Sequence, residues 1–100
     1  MKNTFPASTE KIFDTIIIGS GVGGLSAAIC LAQAGQKVLV LEQHEVPGGW
    51  CHSFYLNGHR FTPGVHYVGL LENGQSTAQL YKALGIAGDL SFFRMNPSGY

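Results

Sequence analysis

Glycines at fixed spacing and a single carboxylate carry most of the chemistry open to this sequence. Gly19-Ser20-Gly21-Val22-Gly23-Gly24 follows the apolar run Ile16-Ile17-Ile18 and opens onto a helical stretch, and Glu42 lies 18 residues past Gly24. In such a pattern Gly19 permits a tight turn out of a strand. Gly21 lets backbone approach a pyrophosphate, and Gly24 allows a helix to pack closely on the strand. The helix that follows aims unpaired N–H groups and the positive end of its dipole at phosphates. A carboxylate ending the next strand accepts a hydrogen bond from a ribose hydroxyl, and Glu42 holds that place.

The carboxylate also discriminates among ligands, because it repels the 2′-phosphate of NADP. FAD and NAD both stay open on this pattern alone, since both present an adenosine ribose and a pyrophosphate. A second glycine pair, Gly48-Gly49 after Pro47, can bring backbone alongside the same pyrophosphate. The competing reading, a glycine-rich loop with no ligand, fits less well because strand, helix, second strand and acidic residue all fall where the fingerprint needs them.

The elements that must position these residues are legible from periodicity. Thr15–Ile18 has the composition of a strand buried on both faces of a parallel sheet. Val22, Leu25, Ile29 and Ala32 recur at helical spacing, with Ala28 a small side chain against the sheet and Gly35 a helix stop. Lys37 to Leu41 reads as a second strand. His52 to Leu56, Asn57-Gly58 and His59 to Thr62 have the chemistry of a β-hairpin. Ser76 to Leu84 predicts a helix closed by Gly85, and Leu90 to Arg94 a further short strand. The fold class expected is α/β, a partial Rossmann-like β-α-β unit with parallel strands, followed by a small antiparallel hairpin and a helix. Residues 1–13 read as a flexible amino-terminal lead and residues 14–100 as one incomplete domain.

The 100 residues, 45% of them hydrophobic and with 14 glycines, suit one small α/β unit. Six basic and six acidic residues cancel, and no Lys/Arg cluster traces a phosphate backbone, so nucleic acid is not an expected partner. The lead lacks the apolar core of a secretory signal, and no run approaches the roughly 20 apolar residues that span a bilayer. Cys30 and Cys51 lack CxxC spacing and read as reduced thiols. A chain of this kind is expected in the cytoplasm or peripheral to a membrane, and not secreted.

Other clusters are weaker. Cys51-His52 with His59 and His66 offers thiolate and imidazole, but adjacent ligands do not chelate one ion in the usual spaced geometry, so no metal is expected. A Cys51–His52 catalytic pair is disfavoured because neighbours on an extended strand point to opposite faces. Nine of the 11 aromatic residues lie from Trp50 onward, and Trp50, Phe54, Tyr55 and Phe61 are expected in the core rather than along a ligand.

Three stretches together carry a family resemblance: 14–24 (DTIIIGSGVGG), 38–44 (VLVLEQH) and 48–54 (GGWCHSF), continued by 58–69 (GHRFTPGVHYVG). The chain from Asp14 to Tyr100 resembles the amino-terminal end of FAD-dependent polyene oxidoreductases, the carotenoid isomerase, retinol saturase and phytoene desaturase relatives. The resemblance implies FAD as cofactor, with Gly19, Gly21 and Gly24 at the pyrophosphate, Glu42 at the adenosine ribose, and Gly48 and Gly49 in a second flavin-side turn. It places His66 and Tyr67 near flavin or substrate, and implies a hydrophobic polyene substrate with peripheral membrane contact left open. Trp50 and Thr62-Pro63 depart from the arginine and aspartate that many relatives have there. The chain is accordingly expected to be an amino-terminal fragment that needs the rest of the fold or a complementing chain. A stand-alone or split dinucleotide-binding module, or an inactive truncated product, are the alternatives. No catalytic acid, base or nucleophile stands out.

Overall fold

The computed structural model describes residues 12–99, so the amino-terminal lead up to residue 11 lies outside the described residues. The chain divides into two compact units, Met1–Gly64 and Val65–Tyr100. The first holds β1 (Thr15–Ile18), α1 (Val22–Gln33), β2 (Val38–Leu41), a 3₁₀ turn at Gly49–Cys51, and β3 (Phe54–Leu56) paired with β4 (His59–Phe61). The second holds α2 (Ser76–Ala83) and a 3₁₀ turn at Ala87–Asp89.

β1 and β2 run parallel in the register Thr15↔Val38, Ile16↔Leu39, Ile17↔Val40 and Ile18↔Leu41. The register is pinned at both ends. At the amino-terminal end Asp14 N–H donates to the Lys37 carbonyl at 2.8 Å, and Lys37 N–H returns a bond to the Asp14 carboxylate at 2.8 Å. At the other end Gly19 N–H donates to the Leu41 carbonyl at 2.7 Å. Both strands therefore stop level, and the residues after them leave the same sheet edge side by side.

α1 covers one face of this pair. Its half-buried residues include Gly24, Ala28 and Leu31 at helical spacing, whereas Val22, Leu25 and Ala32 are exposed. The expected stripe Val22-Leu25-Ile29-Ala32 is thus mostly the outer side. The helix is apolar all round, so periodicity could not say which side meets the sheet, and the small residues decide it by allowing closer approach. A Cβ on Gly24 would overlap the Gly19 carbonyl oxygen and lie 3.4 Å from Ile17 Cγ2. The expectation that Thr15–Ile18 is buried on both faces is also corrected. Thr15 and Ile17 face the helix, but Ile16 and Ile18 on the opposite face are 56% and 80% exposed.

Both helices end by the same device. Gly35 and Gly85 take positive φ (+86° and +76°), Gln36 N–H reaches the Leu31 carbonyl at 3.1 Å, and Ile86 N–H reaches that of Tyr81 at 3.0 Å. A glycine in the left-handed region turns the chain so that these orphan carbonyls are satisfied. The hairpin is as expected but shorter, with His52, Ser53 and Thr62 outside its strands. Asn57 and Gly58 at φ +50° and +79° form the mirror-image turn that matches strand twist.

Two further expectations fail. Leu90–Arg94 has no regular structure, since it finds no partner strand among the described residues. The aromatic residues are not core: Trp50 and Tyr55 are 78% and 71% exposed, and Phe54 and Phe61 chiefly stack on each other across the hairpin at 5.6 Å. A two-stranded hairpin offers cross-strand pairing without a layer to bury its faces. Among the described residues only Leu84 and Ser20 are buried.

Candidate dinucleotide site

The level ends of β1 and β2 bring the glycine loop and Glu42 together. Gly19 turns out of β1 at φ +99°, a conformation that an L side chain rarely adopts. Ser20, 97% buried by its 3% exposure, donates its N–H to Glu42 Oε2 at 3.2 Å, although the two residues are 22 apart in sequence. That bond fixes the carboxylate beside the loop, and Oε1 remains to accept from a ligand hydroxyl.

Gly21 is the N-cap of α1, and no side chain caps the helix. The first intrahelical bond is Leu25 N–H to the Gly21 carbonyl at 2.9 Å, which leaves the N–H groups of Val22, Gly23 and Gly24 as orphan donors. No acidic side chain occupies the first turn, so the positive end of the dipole is not neutralised from within the helix. Gly21 itself has φ −71° and ψ 179°, which any residue adopts, and a Cβ there would meet nothing within 4 Å. The chain's own atoms do not require glycine at this position.

The second glycine turn docks onto the first. Gly48 N–H donates to the Ser20 carbonyl at 2.9 Å and more weakly to Ser20 Oγ at 3.4 Å. A Cβ on Gly49 would lie 3.1 Å from Gly21 Cα. Gly48 and Gly49 both take positive φ, +116° and +58°. Nearby, Glu42, Gln43, His44, Val46, Gly49, Trp50 and His52 line an open cavity of about 440 Å³. The site therefore brings together Gly19, Gly21, Gly24, Glu42, Gly48 and Gly49.

His66 and Tyr67 fall in the second unit, outside regular structure, with Tyr67 70% exposed rather than filling a core. Cys51 closes the 3₁₀ turn instead of sitting on an extended strand, so the premise used against a Cys51–His52 pair does not hold. His52 Nδ1 is instead engaged by the Gly49 carbonyl at 2.6 Å. Among the described residues no three His, Cys, Asp or Glu side chains converge as a metal site would need, and no helix is long and apolar enough to cross a membrane. Ser20 carries no signal of its own in the sequence, where it stands between two glycines of the pattern.

Comparison with known proteins agrees with the fold. Residues 17–84 match the NAD(P)-binding Rossmann-like domain. The all-trans-retinol 13,14-reductase of Macaca fascicularis is 54% identical over 76 residues, 74% of this chain and 12% of the relative. The human protein of the same name is 53% identical over 76 residues, with the same shares. Phytoene desaturase of Fusarium fujikuroi is 51% identical over 49 residues, 49% of this chain and 9% of the relative. The chain thus spans about an eighth of the length of the reductases it matches. It belongs to the NAD(P)-binding Rossmann-like domain family, and the oxidoreductase resemblance stands on these relatives.

Proposed function

We propose that this Rossmann-like chain grips the adenosine and pyrophosphate of FAD, as the cofactor-binding amino-terminal portion of an oxidoreductase acting on a polyene. Gly19, Gly21 and Gly24 shape the pyrophosphate turn, Glu42 takes the adenosine ribose, and Gly48 and Gly49 close on the same phosphates. The observation that carries the reading is the pairing of a docked second glycine turn with a first turn whose Gly21 is unexplained by packing. A single glycine loop would serve NAD as well. The second turn, seated on Ser20 and Gly21, supports the flavin dinucleotide.

FAD, when bound, supplies the redox chemistry. The residues of this chain bind and orient. The Val22, Gly23 and Gly24 N–H groups donate to phosphate oxygens, and Glu42 Oε1 accepts from ribose while Oε2 stays on Ser20. The relatives named for all-trans-retinol and phytoene support a hydrophobic polyene as substrate class, and His66 and Tyr67 are the candidates for flavin or substrate contact.

Calorimetric titration tests the reading. FAD and ADP are expected to bind, with 2′-phospho-ADP weaker. Equal affinity for ADP and 2′-phospho-ADP would remove Glu42 from the ribose, and absence of binding by both FAD and ADP would overturn the assignment.

A further inference from the structure

The second glycine turn needs a fastening that the family pattern of glycines does not supply. Gly48 and Gly49 are both in the left-handed region, and glycine gains most conformational freedom when released. One end of the turn is tied by Gly48 N–H to Ser20. The other end is tied by His52. Its Nδ1 lies 2.6 Å from the Gly49 carbonyl oxygen, which also accepts the His52 backbone N–H at 3.1 Å. A carbonyl only accepts, so Nδ1 carries the proton in this bond.

The imidazole is itself held in place. Its ring centroid is 5.3 Å from that of His44 and 6.3 Å from that of Phe54. His44 is in turn oriented by Val46 N–H, which donates to its Nδ1 at 3.3 Å. With both lone pairs of the Gly49 carbonyl engaged, that negative end of the peptide dipole is kept turned toward His52. It cannot swing toward an anion held on the neighbouring Gly21.

We propose that His52 is a positioning residue for dinucleotide binding: its Nδ1–H fastens the Gly49 carbonyl and so keeps the second glycine turn docked on the first. The proposal rests on the FAD reading for its ligand, but its structural half is read without ligand. His52→Phe keeps a ring between His44 and Phe54 and removes the donor. His52→Asn keeps a donor within reach of the Gly49 carbonyl and removes the ring.

Two measurements on the 100-residue chain decide it. In the ligand-free chain, amide exchange at Gly48 should quicken about five- to tenfold in His52→Phe, as loss of one hydrogen bond implies, and stay near wild type in His52→Asn. ADP affinity, by titration, should weaken by a similar factor in His52→Phe only, with the preference for ADP over 2′-phospho-ADP unchanged because that is read at Glu42. Unaltered Gly48 exchange in His52→Phe, or His52→Asn as impaired as His52→Phe, overturns the positioning role. A wild-type chain that ignores ADP and FAD while Gly48 exchange responds as expected overturns the dinucleotide reading and leaves the fastening established.

Discussion

The two glycine turns at the edge of the β1–β2 sheet are built on opposite principles. The first is set by regular structure: level strand ends place Gly19 against Leu41, and close helix packing requires Gly24. The second, at Gly48 and Gly49, has no strand or long helix to hold it and depends on individual hydrogen bonds to Ser20 and His52. A turn fixed by element packing is rigid whether or not ligand is present. A turn fixed by a few bonds is the more easily opened of the two.

The largest effect should come from breaking the packed turn. Gly24→Leu drives a side chain into the Gly19 carbonyl, which belongs to backbone and cannot give way. Overpacking of this kind costs about 1–3 kcal/mol or more, enough to unseat α1 from β1 in a unit with so little buried surface. Loss of helical circular dichroism together with loss of ADP binding is expected. Retention of both would mean that the helix sits farther from the strand.

Gly21→Val should separate ligand from fold. Its backbone is extended and its Cβ would enter open space, so the far-ultraviolet spectrum should match wild type. ADP affinity should fall about 10- to 100-fold, as one or two charge-assisted bonds from the helix N-terminus are blocked. Undiminished affinity would show that the pyrophosphate does not pass over this turn.

How much of this was legible in the sequence follows the same division. Strand, turn, helix and second strand were readable because apolar period and glycine spacing are local, and the hairpin because Asn57-Gly58 specifies its own turn. The place of Glu42 beside the loop was readable because it directly follows a strand whose register is fixed by its neighbour. The links that fasten the second turn, Ser20 to Gly48 and His52 to Gly49, depend on three-dimensional proximity and have no periodic signature. The exposed aromatic residues and Leu90–Arg94, which has no partner strand among the described residues, failed for a related reason. Composition says that a residue prefers a partner, not whether one is at hand.

Glu42→Arg sharpens the comparison at a single atom pair. It removes the acceptor of Ser20 N–H and, on the proposed reading, that of the ribose hydroxyl, and it replaces repulsion of a 2′-phosphate with attraction. Preference for ADP over 2′-phospho-ADP should narrow or reverse, with total affinity for ADP falling about fivefold to tenfold for one lost hydrogen bond. Ratios identical to wild type would place the ribose elsewhere.

The smallest effect on binding is expected at the bare face of the sheet, on the side away from α1. Ile16 and Ile18 alternate with Thr15 and Ile17, so replacing them leaves the helix contacts, the register and the glycine loop untouched. Contiguous exposed apolar side chains of this kind promote association and dye binding rather than stability of the isolated unit. The double variant Ile16→Thr, Ile18→Thr should bind ADP within about twofold of wild type, as surface substitutions away from a site usually do. It should lower the fluorescence of a hydrophobic dye and shift the chain toward monomer on gel filtration. A tenfold loss of ADP affinity with unchanged dye binding would show instead that this face is covered in solution and supports the sheet edge on which both glycine turns depend.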